Sequence, residues 1–167
     1  MRKNLINDMK RLFGKDRRRI DHALSVLEYA EQIADVEGGD REVIVASAIL
    51  HDIGIQEAEK KHGSSAGNYQ ELEGPPIARE ILSKYDLSEE KVDHVCDIIA
   101  NHHSDKGINS TEFKIVWDAD WMVNIPVEFP DMQGEKLQKL INKVFKTATG
   151  SKIAKEEFFR CDVLKRF

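Results

Sequence analysis

The stretch AILHDIG, residues 48–54, sets an imidazole, His51, beside a carboxylate, Asp52, at the end of a segment that is apolar around nearly its whole circumference. An ionised carboxylate buried without a partner is costly, and the usual remedies are a salt bridge or a metal ion. The apolar segment supplies no partner of its own. Neighbouring side chains on a helix point about 100° apart, yet both can reach one point near the helix end. Alternatively, His51 caps the helix and Asp52 is solvated beyond it, and the dipeptide by itself favours neither arrangement.

Other residues shift that balance. His22 stands on a stripe with Val26, Tyr29 and Ile33 beside the apolar face of a long helix, so it points inward or nearly so. A lone histidine there is more often a satisfied core residue than a ligand. His102 and His103 end a segment whose Val92, Val95, Cys96 and Ile99 face a core, with 96, 99 and 103 in register; such a pair also serves as helix C-cap cations. Asp118 and Asp120, two apart, sit among Trp117, Ala119, Trp121 and Met122, and one of the two faces inward. His62 and His94 lack such settings and read as exposed. Inward imidazoles and carboxylates from separate helices compose a site for a divalent ion, Mn²⁺, Fe²⁺, Mg²⁺, Co²⁺ or Zn²⁺, with positions left open for water.

The elements that must position these groups read as helices. Residues 16–37 carry apolar side chains at three- and four-residue steps, with Asp16 a candidate N-cap and the glycines at 38 and 39 as a stop. A second helix starts at Asp40 and ends at Gly54, and its all-round apolar pattern requires a place inside the others. Residues 55–74 read as a short helix and loop over a surface, with Pro75 and Pro76 opening the next helix. Ser88 is a candidate N-cap for the helix that ends at His102–His103. FKIVW, 113–117, has strand propensity, but 110–125 suits a buried helix closed by Pro126. Two amphipathic helices follow, EKLQKLINKVFKTATG and SKIAKEEFF. The expected fold is all-α, one domain over 1–167, with a core at 16–125 and C-terminal helices at 134–160 packed on it.

At 167 residues the chain buries roughly 70% of its unfolded surface. Thirty acidic against 25 basic residues give a net charge of −5, which argues against binding a nucleic acid polymer or an anionic membrane. No run approaches the ~20 apolar residues of a membrane span. The N-terminal MRKNLINDMKRLFG is amphipathic and too charged for a signal peptide. Cys96 and Cys161 have no paired spacing and suit free buried thiols in a reducing compartment. A cytoplasmic protein is expected. The N-terminal helix and Phe158–Phe159 could cover the domain's own core or that of a partner in a homodimer.

The order His22, then His51–Asp52 within ILHDIG, then an Ala-Asp aspartate at 120 resembles the HD superfamily of metal-dependent phosphohydrolases, over about residues 20 to 125. The resemblance implies His22, His51, Asp52 and Asp120 as ligands of one metal, with Asp118 supporting a ligand or serving structure alone. Some members of that family bind a second metal through an adjacent histidine pair, which His102–His103 matches. A further histidine common in such members is missing here: YQELEGPP offers only Gln70, Glu71 and Glu73. Trp121 stands where relatives commonly carry an arginine.

The function expected is hydrolysis of a small phosphorylated metabolite, most of all a nucleotide, by a metal-activated water. Asp52, His102 and His103 are the expected catalytic groups, the histidines orienting the phosphate or shuttling a proton. Arg18 and Arg19, one turn before His22, could hold the phosphate bidentately or form a solvated basic face. Lys60, Lys61 and Arg79 are weaker candidates. The rival readings are a di-iron oxygenase, which needs the second metal and is disfavoured by the missing histidine, and a non-catalytic nucleotide sensor.

Overall fold

The computed structural model describes the backbone of residues 1–164 and the side chains of residues 1–159. The described residues form nine α-helices and no strand: α1 (Arg2–Phe13), α2 (Arg17–Glu37), α3 (Arg41–Leu50), α4 (Ile55–His62), α5 (Gly67–Leu82), α6 (Glu89–Ile99), α7 (Thr111–Glu128), α8 (Gly134–Val144) and α9 (Ala148–Leu164). Every residue from Val43 to Leu50 is buried, so α3 is the central helix, with α1, α2, α6 and α7 packed around it. Asp40 starts it by accepting hydrogen bonds from the Glu42 and Val43 N–H groups. Asp16 caps α2, Ser88 caps α6 and Ser110 caps α7 in the same way. α1 lays Leu5, Met9 and Phe13 against this same core, each worth roughly 1.5–3 kcal/mol of burial. The N-terminal helix therefore covers its own domain. Cys96 is a buried free thiol; the side chain of Cys161 lies outside the described residues.

Four boundaries differ from the sequence expectation, and each has a physical reason. α3 stops at Leu50, and HDIG forms a turn in which Gly54 opens α4 with φ −78°. Gly54 is thus needed for close approach, not for a left-handed stop: a Cβ there would meet Gly74 N at 2.5 Å and Gln70 O at 2.7 Å. Pro75 and Pro76 lie inside α5, which starts at Gly67 and buries Gln70, Glu73, Gly74, Ala78, Ile81 and Leu82. Two helical hydrogen bonds are forgone there, and packing of α5 on α4 and α6 offsets the loss. Pro126 sits in the last turn of α7, which continues to Glu128. FKIVW is helical because Phe113, Ile115 and Val116 are all buried in α7.

The fourth difference concerns the C-terminal helices, where the chain breaks at residues 145–147 and ATG joins α9 instead of ending α8. Thr147 Oγ1 accepts the Gly150 N–H (2.9 Å). Asp118, fully buried on α7, accepts from Lys146 N (2.7 Å), Thr147 N (2.8 Å) and Thr147 Oγ1 (2.7 Å). Gly150 allows this approach, since a Cβ there would fall 2.4 Å from Asp118 Oδ2. Asp118 therefore pins the C-terminal helices to the core. Phe158 and Phe159 pack beside Met122, Ile125, Leu137 and Ile141 in a second apolar cluster.

Replacing Asp118 with Ala strands two buried donors of Thr147, at about 1–3 kcal/mol each, and the part-buried Lys146 N–H, so urea denaturation should show a loss of at least about 2 kcal/mol. Burial raises the Asp118 pKa to about 6 despite its three donors, above the value of about 3.9 in an unfolded chain. Its proton-linked contribution is then complete below about pH 4 and is lost as pH rises through about 6. The deficit of Asp118→Ala should shrink over that interval.

Candidate metal centre

Two helices and two turns deliver the polar groups to one end of the bundle. His22 comes from the first turns of α2, His51 and Asp52 from the turn after α3, His102 from the turn after α6, and Asp120 from the middle of α7. His22 Nε2 lies 3.2 Å from His51 Nε2, 3.5 Å from Asp52 Oδ2 and 3.0 Å from Asp120 Oδ1. His51 Nε2 lies 3.5 Å from Asp52 Oδ2 and 3.6 Å from Asp120 Oδ1. With metal–ligand distances of about 2.1 Å, neighbouring ligands stand about 3.0 Å apart in an octahedron and about 3.4 Å apart in a tetrahedron. His22, His51 and Asp52 therefore have the spacing of ligands around one ion, and Asp120 Oδ1 stands at ligand spacing from both imidazoles.

Hydrogen bonding fixes the tautomers. His51 Nδ1 lies 2.9 Å from the Ala48 carbonyl, which accepts only an N–H, so in neutral His51 the lone pair is on Nε2. His102 Nδ1 is held likewise by the Ile99 carbonyl at 2.6 Å, leaving Nε2 3.4 Å from Asp52 Oδ1. Asp120 Oδ1 and His102 Nε2 are buried with no hydrogen-bond partner. Two orphaned acceptors in a cluster of acceptors are what a cation would satisfy, and the residues fit a divalent metal on that ground. Asp52 offers its two oxygens to two groups: Oδ2 to His22 and His51, Oδ1 to His102. Asp52, His102 and His103 form a second set of atoms close enough together to hold an ion.

The electrostatics show the same demand for positive charge. Burial by itself would depress the His51 pKa, but the Asp52 and Asp120 carboxylates overcome it and raise it to about 9. Asp52 and Asp120 are both held well below the usual carboxylate range, their burial outweighed by the imidazoles beside them. A metal ion would thus replace a proton that the cluster otherwise retains. His103, by contrast, is pushed down to about 4 by burial and by His102, so it is neutral at pH 7.

The cluster opens into a cavity of about 760 Å³, lined by His22, Asp52, Asp120, His103, Gln70, Arg18 and Arg19. His102 is not among its lining residues; it stands behind Asp52, its Nε2 3.4 Å from Oδ1. Arg19 is engaged by Asp16 (3.0 Å) and Glu59 (2.5 Å). Arg18 is exposed on the cavity wall with no ion pair among the described residues. Lys60, Lys61 and Arg79 are absent from the lining and paired with Glu57, Glu73 and Glu89 respectively.

Of the residues that could replace the missing histidine, both glutamates are committed elsewhere. Glu71 Oε1 accepts the N–H groups of His103 and Ser104, and Glu73 is paired with Lys61 and His62. His62 is exposed as expected, stacked on Tyr69 with centroids 4.2 Å apart. His94 is half-buried instead of exposed, because Ser110 Oγ, the α7 cap, lies 2.8 Å from its Nε2. Ser25 and Asn124, also in the lining, were not singled out from the sequence. Their register would have found them: Ser25 is three residues after His22, and Asn124 four after Asp120, each on its ligand's face one turn on.

Comparison with known proteins points the same way. Residues 19–125 match the sequence model of the HD domain. An uncharacterized protein of Clostridium beijerinckii is 33% identical over 103 residues, 58% of this chain, and the chain spans 62% of that relative's length. A crystal structure of a predicted HD superfamily hydrolase from an uncultured Thermotogales bacterium superposes with a TM-score of 0.72 at 24% identity, covering 99% of this chain and 90% of that one. An HD-superfamily hydrolase from Bacillus thuringiensis superposes with a TM-score of 0.64 at 22% identity, covering 98% and 93%. At these identities the two structures establish the shared fold.

A ligand at a hundredfold excess over its Kd adds about 2.7 kcal/mol to stability, or roughly 5–10 °C in Tm for a chain of this size. Mn²⁺ added to chelator-stripped protein should raise Tm by that amount, and His51→Ala should abolish the rise, as read by differential scanning fluorimetry.

Proposed function

This chain belongs to the HD domain family, and on that premise we propose that it hydrolyses a small phosphomonoester, most of all a nucleoside monophosphate. The family and the histidine–aspartate cluster support a metal-dependent hydrolase in general. The observation that carries the finer reading is the one cavity wall on which the cluster and the unengaged guanidinium of Arg18 meet. A divalent ion bound to the cluster would lower the pKa of water and neutralise charge on a phosphoryl oxygen.

The chain's own residues supply the rest. Arg18 holds the phosphate by its planar donor fork. Asp52 and Asp120 keep the imidazoles oriented. His103, neutral at pH 7 and at the cavity wall, accepts a proton during the reaction or hydrogen-bonds the phosphate. Ser25 and Asn124 offer hydrogen bonds to the leaving group, and Val123 and Val127 an apolar surface for a base.

The charge balance of the wall favours a single phosphate. Apart from the cluster, Asp16, Asp21 and Glu128 line the same cavity as Arg18 and Arg19, and Arg19 is already neutralised by Asp16 and Glu59. A triphosphate would bring several more negative charges past Asp21 and Glu128, which have no ion pair among the described residues, whereas carboxylates suit the hydroxyls of a ribose.

With Mn²⁺, Mg²⁺ or Co²⁺, a panel of phosphate esters should show kcat/KM at least tenfold higher for nucleoside monophosphates than for triphosphates. Arg18→Ala should raise KM about 10- to 100-fold, the worth of a charge-assisted hydrogen bond, with kcat little changed. No turnover of any ester under every metal would contradict the reading, and tight binding without product would make the protein a sensor.

A further inference from the structure

Arg18 and Arg19 both line the cavity, yet they differ in what already holds them. Arg18 has no ion pair among the described residues, whereas the Arg19 side chain is only 22% exposed and is gripped from two sides. Its Nη1 lies 3.0 Å from Asp16 Oδ2, and its Nη1 and Nη2 donate to Glu59 Oε2 (3.2 Å) and Oε1 (2.5 Å). A guanidinium meeting two oxygens with two nitrogens is the geometry in which it would also hold a phosphate.

The two carboxylates have different duties. Asp16 serves its own helix: Oδ1 caps α2 by accepting the Arg19 N–H (3.2 Å), and the residue lines the cavity. Glu59 stands 40 residues further on, in α4, and is not part of the lining. It therefore reaches Arg19 from outside the cavity and closes the fork from behind. With Asp16 alone, Arg19 would be neutral overall; with Glu59 added, the three groups carry one net negative charge.

This trio lies on the path a longer anion would take. Asp16, Arg19 and His22 recur at three-residue steps on one face of α2, with His22 in the cluster and Arg19 one turn, about 5.4 Å, away from it. A phosphate seated at the cluster and Arg18 would point any second phosphate outward along that face. There it meets a guanidinium whose fork is occupied and whose surroundings repel it.

We propose that Glu59 is a specificity-determining residue that keeps Arg19 closed to a second phosphate, so that the cavity takes phosphomonoesters in preference to diphosphates. The proposal rests on the reading of the cavity as a phosphate site and names the group that sets its phosphate count. To enter, a second phosphate must displace Glu59 and leave that carboxylate unpaired beside a new anion. Because Glu59 is 44% exposed, solvent screens part of the penalty. The expected discrimination is about tenfold, the low end for a charge-assisted hydrogen bond.

The test is binding, not turnover. Protein in excess Mg²⁺ is titrated by isothermal calorimetry with inorganic phosphate and with methylenediphosphonate, a diphosphate analogue whose carbon bridge resists hydrolysis. Glu59→Gln should tighten methylenediphosphonate about tenfold and change phosphate by less than about threefold. Adding Arg19→Ala to Glu59→Gln should remove that gain, because the freed guanidinium is its source. Thermal melts establish that each variant is folded, as loss of a partly exposed ion pair predicts. An unchanged Kd for methylenediphosphonate in Glu59→Gln, equal tightening of both probes, or a gain that survives in the double variant would overturn the proposal while leaving the phosphate site intact. No binding of either probe to wild type or to any variant would overturn the reading of the cavity as a phosphate site as well.

Discussion

Asp52 and Asp120 stand among three imidazoles with nitrogens and oxygens 3.0–3.6 Å apart, and such a cluster is stable only if positive charge sits within it. A proton can supply that charge, which is why His51 is so basic. A divalent cation supplies it better, because it satisfies Asp120 Oδ1 and His102 Nε2, which protein groups leave unpaired. The rest of the fold can be understood as the scaffold this requirement needs.

The ligands come from three elements, α2, the turn after α3 and α7, so no single helix bears the desolvation cost alone. α3 is buried on all sides and stops abruptly at Leu50, delivering His51 and Asp52 as a turn with the Ala48 carbonyl holding the ring. α2 and α7 pack against α3 and against each other, bringing His22 and Asp120 to the same end. Gly54, Gly67 and Gly74 let α5 pass close enough to seal the far side. Asp118, two residues before Asp120, faces the opposite way and ties the C-terminal helices to the core. One helix thus carries a carboxylate for chemistry and another for stability, told apart by which donors each meets.

Much of this was legible in the residue pattern. The all-round apolar 43–50 segment announced the central helix, and Asp16, Asp40 and Ser88 announced three helix starts. Helical register turned His22 and one of Asp118 and Asp120 inward, and the resemblance to a known arrangement named His22, His51, Asp52 and Asp120 as the set. Pattern reading failed where tertiary packing overruled local chemistry. Pro75 and Pro76 looked like a helix start, yet burial of Gln70, Glu73 and Gly74 carries α5 back to Gly67. His94 looked solvated because its partner, Ser110, lies 16 residues away in sequence. Which of Gln70, Glu71 and Glu73 faces the site could not be decided by spacing, since all three share one helical turn; the engagement of both glutamates by other groups decides it.

The most direct measurement is anomalous diffraction from crystals grown with Mn²⁺. The account requires a strong peak about 2.1 Å from His22 Nε2, His51 Nε2, an Asp52 oxygen and Asp120 Oδ1. A well-ordered crystal with saturating Mn²⁺ and no peak between those four side chains would contradict it.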